Sequence, residues 1–138
     1  MAFWLLKSEP HVYSWDDLVR DGETVWDGVR NAQAAGYLKA MTVGDEALFY
    51  HSNVGKEAVG ICRVTATAFP DPTDPGWVAV RVAPVRPLVR RVSLAEMKGE
   101  PALGQLPLIR QSRLSVVPVR PAEWAHILAM AERAPARA

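Results

Sequence analysis

A single cysteine, Cys62, stands among 138 residues, so no intrachain disulfide can form. A cysteine-rich zinc site is excluded by the same count. Set inside the apolar run Val59-Gly60-Ile61-Cys62-Arg63-Val64, that thiol reads as a small core residue. No apolar stretch approaches the ~20 residues that cross a bilayer as a helix. The N-terminus lacks the basic start and apolar segment of a secretory signal. A cytoplasmic, reducing location is therefore expected, with no membrane and no disulfide-linked partner. Phosphate-cradling glycine loops and nucleophile–base–orienter sets are also missing. His11, His51 and His126 are not spaced as metal ligands. No metal, no cofactor and no catalytic constellation is expected, and the chain points to a binding pocket before it points to a catalyst.

Composition is ordinary: 49% hydrophobic and 22% charged residues place the chain among globular proteins able to bury a core unaided. Its length favours one domain, drawn over residues 1–132 with a frayed tail at 133–138. Net charge is +1, yet it is divided unevenly. Residues 1–69 sum to −3 and residues 70–138 to +4, the latter including Arg81, Arg86, Arg90, Arg91, Arg110, Arg113 and Arg120. Such asymmetry suits either a phosphate-facing surface or a set of solvated strand charges.

Three stretches set aromatic rings beside hydrogen-bonding groups: Trp4-Leu5-Leu6-Lys7-Ser8-Glu9-Pro10, Trp26-Asp27-Gly28-Val29-Arg30-Asn31 and Phe49-Tyr50-His51-Ser52. A flat heteroaromatic ligand needs that combination, a ring to stack on and fixed polar atoms to read its edge. Around them the pattern predicts a buried strand over Phe3–Leu6, then a helix capped by Ser14 with Asp17 three residues on and stopped at Asp21-Gly22. Thr24–Asn31 has no helical period and reads as an ordered loop. Asn31 opens a second helix, with Ala34, Tyr37, Leu38 and Met41 on one face. Strands are expected over Ala47–Ser52, Ala58–Phe69, Trp77–Val85 and Leu114–Val119. The prolines of 70–76 make that segment a loop. Ser93 with Glu96 forms another capping box, Leu106–Arg110 a helical turn, and Pro121 the start of a last amphipathic helix. The sum is an α+β domain built on a small, strongly bent sheet or barrel.

The same three stretches, with Val43-Gly44-Asp45 before the third and Arg113-Leu114-Ser115-Val116 near the end, resemble the EVE domain family in order and over nearly the whole chain. The resemblance implies a PUA-like barrel of about five or six strands with flanking short helices, related to YTH and ASCH domains. It also implies binding of modified bases in DNA or RNA through an aromatic-lined pocket. Family members often carry a longer insert between the positions of Phe69 and Trp77.

On this reading Trp26 is the stacking wall, and Trp26→Ala leaves the fold intact while removing binding. Ser8 and Glu9 either read a base edge or, for Glu9, pair with a neighbour such as Arg30. Lys7 meets a phosphate. Arg30 contacts phosphate or pairs with Asp27, its planar fork suiting both. Asn31 caps its helix or reads a base. Of Phe49 and Tyr50, on opposite strand faces, one is core and the other lines the pocket; His51 and Ser52 complete that rim. Adjacent strand positions point apart, which argues against a Ser52–His51–Asp27 triad. Trp77 offers a further exposed wall, and Arg110 with Arg113 a second phosphate contact. The expected function is a non-catalytic reader of a modified base in single-stranded or flipped-out nucleic acid. The alternatives are a small-molecule or peptide binder, or an RNA- or nucleotide-modifying enzyme with Glu9 or Asp27 as base.

Overall fold

Strand β1 (Phe3–Ser8) carries Trp4, Leu5 and Leu6, three consecutive buried residues. A run that is apolar on both faces belongs inside a sheet, and β1 lies between two neighbours there. The computed structural model describes residues 1–133, so the expected tail, apart from Arg133, lies outside the described residues. The remaining strands are β2 (Thr24–Trp26), β3 (Glu46–His51), β4 (Glu57–Asp71), β5 (Asp74–Ser93) and β6 (Val116–Val119). They form one six-stranded sheet in the order β2-β5-β4-β3-β1-β6. β1 and β3 run parallel, Phe3 beside Glu46 through Ser8 beside His51, and the other neighbours are antiparallel. Repeated register breaks along β4 and β5 bend those long strands. The result is the expected α+β, PUA-like architecture: a barrel-like sheet that does not close, flanked by short helices.

Local chemistry sets the helices. In α1 (Trp15–Asp21) the Ser14 hydroxyl accepts from the Asp17 amide while the Asp17 carboxylate accepts from the Ser14 amide. Gly22, at φ +76°, supplies the left-handed residue that ends it. α2 (Ala32–Ala40) starts at Asn31, whose side-chain oxygen accepts from the Ala34 amide at 3.0 Å. α3 (Leu94–Lys98) has the Ser93–Glu96 box. The short α4 (Pro107–Arg110) and the longer α5 (Pro121–Glu132) both begin at proline, where the missing N–H is harmless.

The core is centred on Phe49, which is fully buried. Trp15 meets it edge-on at 5.7 Å, Trp26 at 5.5 Å and His51 at 5.7 Å between ring centroids. Phe3 stacks on Trp124 of α5 at 4.4 Å.

Three expectations are corrected here. Trp26 lies in strand β2, paired with Val80 of β5, and not in a loop. The proline-rich segment is mostly strand: β4 and β5 continue through it and turn over only Pro72 and Thr73. Asp71 closes the tight turn, its carboxylate accepting from the Thr73 amide at 2.7 Å and the Thr73 hydroxyl at 2.6 Å. Finally, Phe49 and Tyr50 are both buried, since β3 is covered on both faces and strand alternation no longer separates core from pocket.

Candidate functional site

The two ends of the open sheet face each other across a cleft of about 590 Å³. That size falls within the range of small-ligand sites. Lys7 and Ser8 at the end of β1, with Ser115 just before β6, form one wall. Glu23 through Val29 form the other, Val12 and Tyr13 close one end, and Arg81 reaches in from β5.

Trp26 lines this cleft although only 7% of its surface is exposed, its ring standing nearly perpendicular to that of Phe49. Beside it Asp27 is exposed and makes no side-chain hydrogen bond or ion pair among the described residues. Gly28 takes φ +79° and its amide donates to Asp71 Oδ2 at 2.9 Å. A Cβ there would meet nothing within 4 Å, so the glycine serves the backbone turn rather than close approach.

The other polar groups of the cleft are held in place. The Ser8 hydroxyl donates to the Tyr13 carbonyl at 2.6 Å, leaving its lone pairs open. Tyr13 donates to Asp21 at 2.8 Å, and burial pushes its phenol pKa up. Lys7 Nζ donates to the Ser112 carbonyl at 2.8 Å, and desolvation lowers its pKa from the usual lysine value. Glu23 accepts from Thr65 at 2.7 Å and from Arg81 Nε and Nη2 at 3.1 and 2.9 Å. The Thr65 hydroxyl, then Arg81, holds its carboxyl below the ordinary range.

Of the residues singled out in the sequence, Trp26, Asp27, Ser8 and Lys7 come together here, whereas Glu9, Arg30, Asn31, Tyr50, His51, Ser52, Trp77, Arg110 and Arg113 do not line the cleft. Asn31 caps α2. Glu9 lies 3.4 Å from His11 Nε2, and its carbonyl accepts from the Val12 and Tyr13 amides, shaping the loop that bears Tyr13. Arg30 pairs with neither Asp27 nor Glu9. It donates to Asp71 Oδ2 and to Thr73 Oγ1, both at 2.9 Å, and lies 5.8 Å from the Trp77 ring. Burial raises the Asp71 pKa, but the hydrogen bonds from Thr73, Arg30 and Gly28 outweigh it and hold that carboxyl well below the usual range. Trp77 is half-buried beneath Arg30, away from the cleft.

The third stretch, Phe49-Tyr50-His51-Ser52, lies outside the cleft lining. His51 is buried and its Nε2 accepts from the Trp15 amide at 3.1 Å. Burial, then the Arg91 charge, lowers its pKa, in keeping with a ring that must stay neutral to accept. Burial pushes the Tyr50 phenol up to about 12. The Ser52 amide donates to the Ser8 carbonyl at 3.0 Å, extending the β1–β3 pairing. With His51 turned to Trp15, no triad with Asp27 forms. The Cys62 thiol is buried, 3.6 Å from the Ala47 carbonyl, and pushed up to about 12 by burial.

Arg110 and Arg113 line a separate hollow of about 370 Å³ with Gln33, Gln111, Ser112 and Leu114. The sequence reading missed Val12, Tyr13, Glu23, Arg81 and Ser115 as cleft residues. Tyr13 could have been found as the aromatic immediately before the Ser14 cap. Arg81 could not, because only the pairing of Val25 with Arg81 brings it to the cleft.

The site is thus a cleft between the unjoined ends of a mixed, barrel-like sheet, with Trp26 and Tyr13 in its lining. The match to the EVE domain model over residues 2–130 makes the chain a member of that family. Human thymocyte nuclear protein 1 is 34% identical over 171 aligned positions, covering 97% of this chain and 76% of that protein. The alignment is longer than this chain, so that relative carries residues this one lacks. A crystal structure of human THYN1 in complex with 5-methylcytosine-containing DNA superposes with a TM-score of 0.90 at 33% identity, covering 98% of this chain and all of that one. Rpa0253 from Rhodopseudomonas palustris matches at 46% identity and a TM-score of 0.90, over 95% and 93% of the two chains. A YTH domain from Zygosaccharomyces rouxii, solved with N6-methyladenosine RNA, shares the fold at 16% identity and a TM-score of 0.62, over 97% and 88%. No helix among the described residues is long and apolar enough to cross a membrane.

Proposed function

We propose that the cleft receives one modified base of DNA or RNA, unstacked from its strand, and holds it without chemical change. The observation that carries this is a cleft formed between the two ends of the sheet, with Trp26 in its lining and beside it the Asp27 carboxylate, which makes no hydrogen bond or ion pair among the described residues. Stacking on an aromatic ring contributes about 1–3 kcal/mol per base. That offsets much of the few kcal/mol needed to unstack the base. Asp27 and Glu23 supply acceptors for ring N–H or amino groups, while Lys7 and Arg81 supply donors. The cleft lining contains no histidine or cysteine, and the Ser8 and Tyr13 hydroxyls already donate, to the Tyr13 carbonyl and to Asp21, which supports binding over turnover. The complex of human THYN1 with methylated DNA supports the same ligand class. The cytoplasmic location expected from the sequence stays part of this proposal, although the human relative is named as a nuclear protein.

Trp26→Ala is not a clean probe. Trp26 packs in the core, and removing a buried tryptophan costs about 3–5 kcal/mol. Ser115→Phe fills the cleft from its half-buried rim and leaves Trp26 in place. Titration of a single-stranded oligonucleotide carrying one 5-methylcytosine, followed by tryptophan fluorescence, is expected to saturate with wild type. With Ser115→Phe the affinity drops at least about tenfold, corresponding to ~1.4 kcal/mol of binding free energy. Equal affinity of a folded Ser115→Phe protein removes the cleft from the binding site.

A further inference from the structure

The cleft and the arginine-lined hollow share one wall, the segment Gln111–Ser115. Ser115 lines the cleft and Ser112 lines the hollow. Lys7, itself a cleft residue, donates its ammonium to the Ser112 carbonyl and so ties that wall to the end of β1. The hollow is braced from the other side, where Gln33 of α2 donates to Gln111 Oε1 at 3.0 Å.

The two cavities differ in charge. The cleft mixes signs, with Glu23 and Asp27 facing Lys7 and Arg81. The hollow contains Arg110 and Arg113 and no carboxylate. Elsewhere, Arg20, Arg30, Arg81, Arg90, Arg91, Arg120 and Arg133 each pair with an acidic side chain, while Arg63 and Arg86, which pair with none among the described residues, line neither cavity. Arg110 and Arg113 are exposed and have no such pair among the described residues. Two guanidinium groups in one uncompensated concavity favour a group with several negative oxygens, and the planar fork of arginine suits phosphate.

We propose that the hollow is a backbone subsite. On the reading that the cleft takes a base, the hollow takes the phosphodiester of the neighbouring nucleotide in the same strand. Lys7 stands over the sugar-phosphate link that crosses the shared wall. The site then spans two nucleotides: the base is read on one side of Gln111–Ser115 and the backbone is gripped on the other. The chemistry recognised is a phosphodiester continuous with the bound base, not a free anion.

The test compares wild type with the double variant Arg110→Ala/Arg113→Ala, both checked for folding by thermal melting. The ligands are free 5-methyl-2′-deoxycytidine, a short single-stranded oligonucleotide containing that base, and inorganic phosphate. The double variant should bind the nucleoside as wild type does and the oligonucleotide at least about tenfold more weakly at low salt. Its slope of log affinity against log salt should be shallower by about 1.4, two contacts at ~0.7 each for single strands. Arg110→Lys/Arg113→Lys should restore most of the slope. Unchanged oligonucleotide affinity and slope overturn the subsite while leaving the cleft reading intact. Equal loss for nucleoside and oligonucleotide overturns it too, because the arginines would then serve the base. Binding of inorganic phosphate as strong as that of the oligonucleotide makes the hollow a free-anion site and rejects strand continuity. A wild type that ignores the base but keeps an arginine-dependent salt slope sinks the cleft reading and leaves the phosphate hollow standing.

Discussion

Two tryptophan–aspartate neighbourhoods lie in this protein, and by burial of the ring alone they are indistinguishable: Trp4 is 6% exposed and Trp26 is 7%. Their carboxylates differ completely. Asp45, itself buried, accepts from Trp4 Nε1, the Ala2 amide, and the amide and hydroxyl of Thr42, at 3.0 to 3.1 Å. Burial raises its pKa, but those four donors outweigh it and keep the carboxyl below its ordinary range. Asp27 has no donor among the described residues and faces the cleft. Ring exposure therefore does not separate these two neighbourhoods, whereas the unmet hydrogen-bonding capacity of the carboxylate does.

The sharpest way to break that comparison is to neutralise each carboxylate in turn. Asp45→Asn replaces an acceptor of four hydrogen bonds with an amide that must turn an NH₂ toward donors. It should destabilise the fold by about 2–4 kcal/mol in urea unfolding. Asp27→Asn should melt with wild type and bind the methylated oligonucleotide more weakly. If Asp27→Asn unfolds as readily as Asp45→Asn, the distinction between the two neighbourhoods is lost.

A smaller effect sharpens the contrast within one stretch. Asn31 lies four residues after Asp27, but its side chain is already bonded to the Ala34 amide. Asn31→Ala should lower stability by about 1 kcal/mol, as loss of a helix cap does, and leave oligonucleotide affinity unchanged in an isothermal titration. A binding loss matching that of Asp27→Asn would show that an occupied amide can still read a ligand.

The gentlest test is pH. His51 has a folded pKa below the ordinary 6.5, from burial and then from Arg91. The unfolded chain therefore takes up the proton first as pH falls. This histidine's contribution is fully present above pH 6.5 and is lost as pH drops from there toward the folded value. Urea midpoints followed from pH 7.5 to pH 5 should decline, and His51→Gln, which keeps an acceptor without titrating, should decline less. Ligand affinity should not follow the His51 titration, because the ring faces Trp15 and not the cleft.

Local signals were legible in the sequence wherever one residue acts on the next turn of chain. Ser14 with Asp17, Ser93 with Glu96, and Asn31 each cap the helix that their side chains announce. Trp26, Ser8 and Lys7, which the family motifs single out, line one cleft. What failed depended on distant partners. His51 and Arg30 read as ligand groups until Trp15 and Asp71, 36 and 41 residues away, were seen to occupy them. Tyr50 read as a rim residue because strand alternation assumes one open face, and β3 has none. Arg81 reaches the cleft only through the pairing of β2 with β5, which no short motif encodes.

Asp71 has a wider consequence. Its carboxylate binds the hairpin tip through Thr73 and, across 43 residues of chain, the Gly28 amide two places beyond Trp26. The length of the β4–β5 connection is thus coupled to the tension on the cleft's far lip. A homologue that lengthens the hairpin must either re-create this latch from its added residues or accept a slacker jaw. Hairpin length would then be linked, through Asp71, to where the backbone just beyond Trp26 sits.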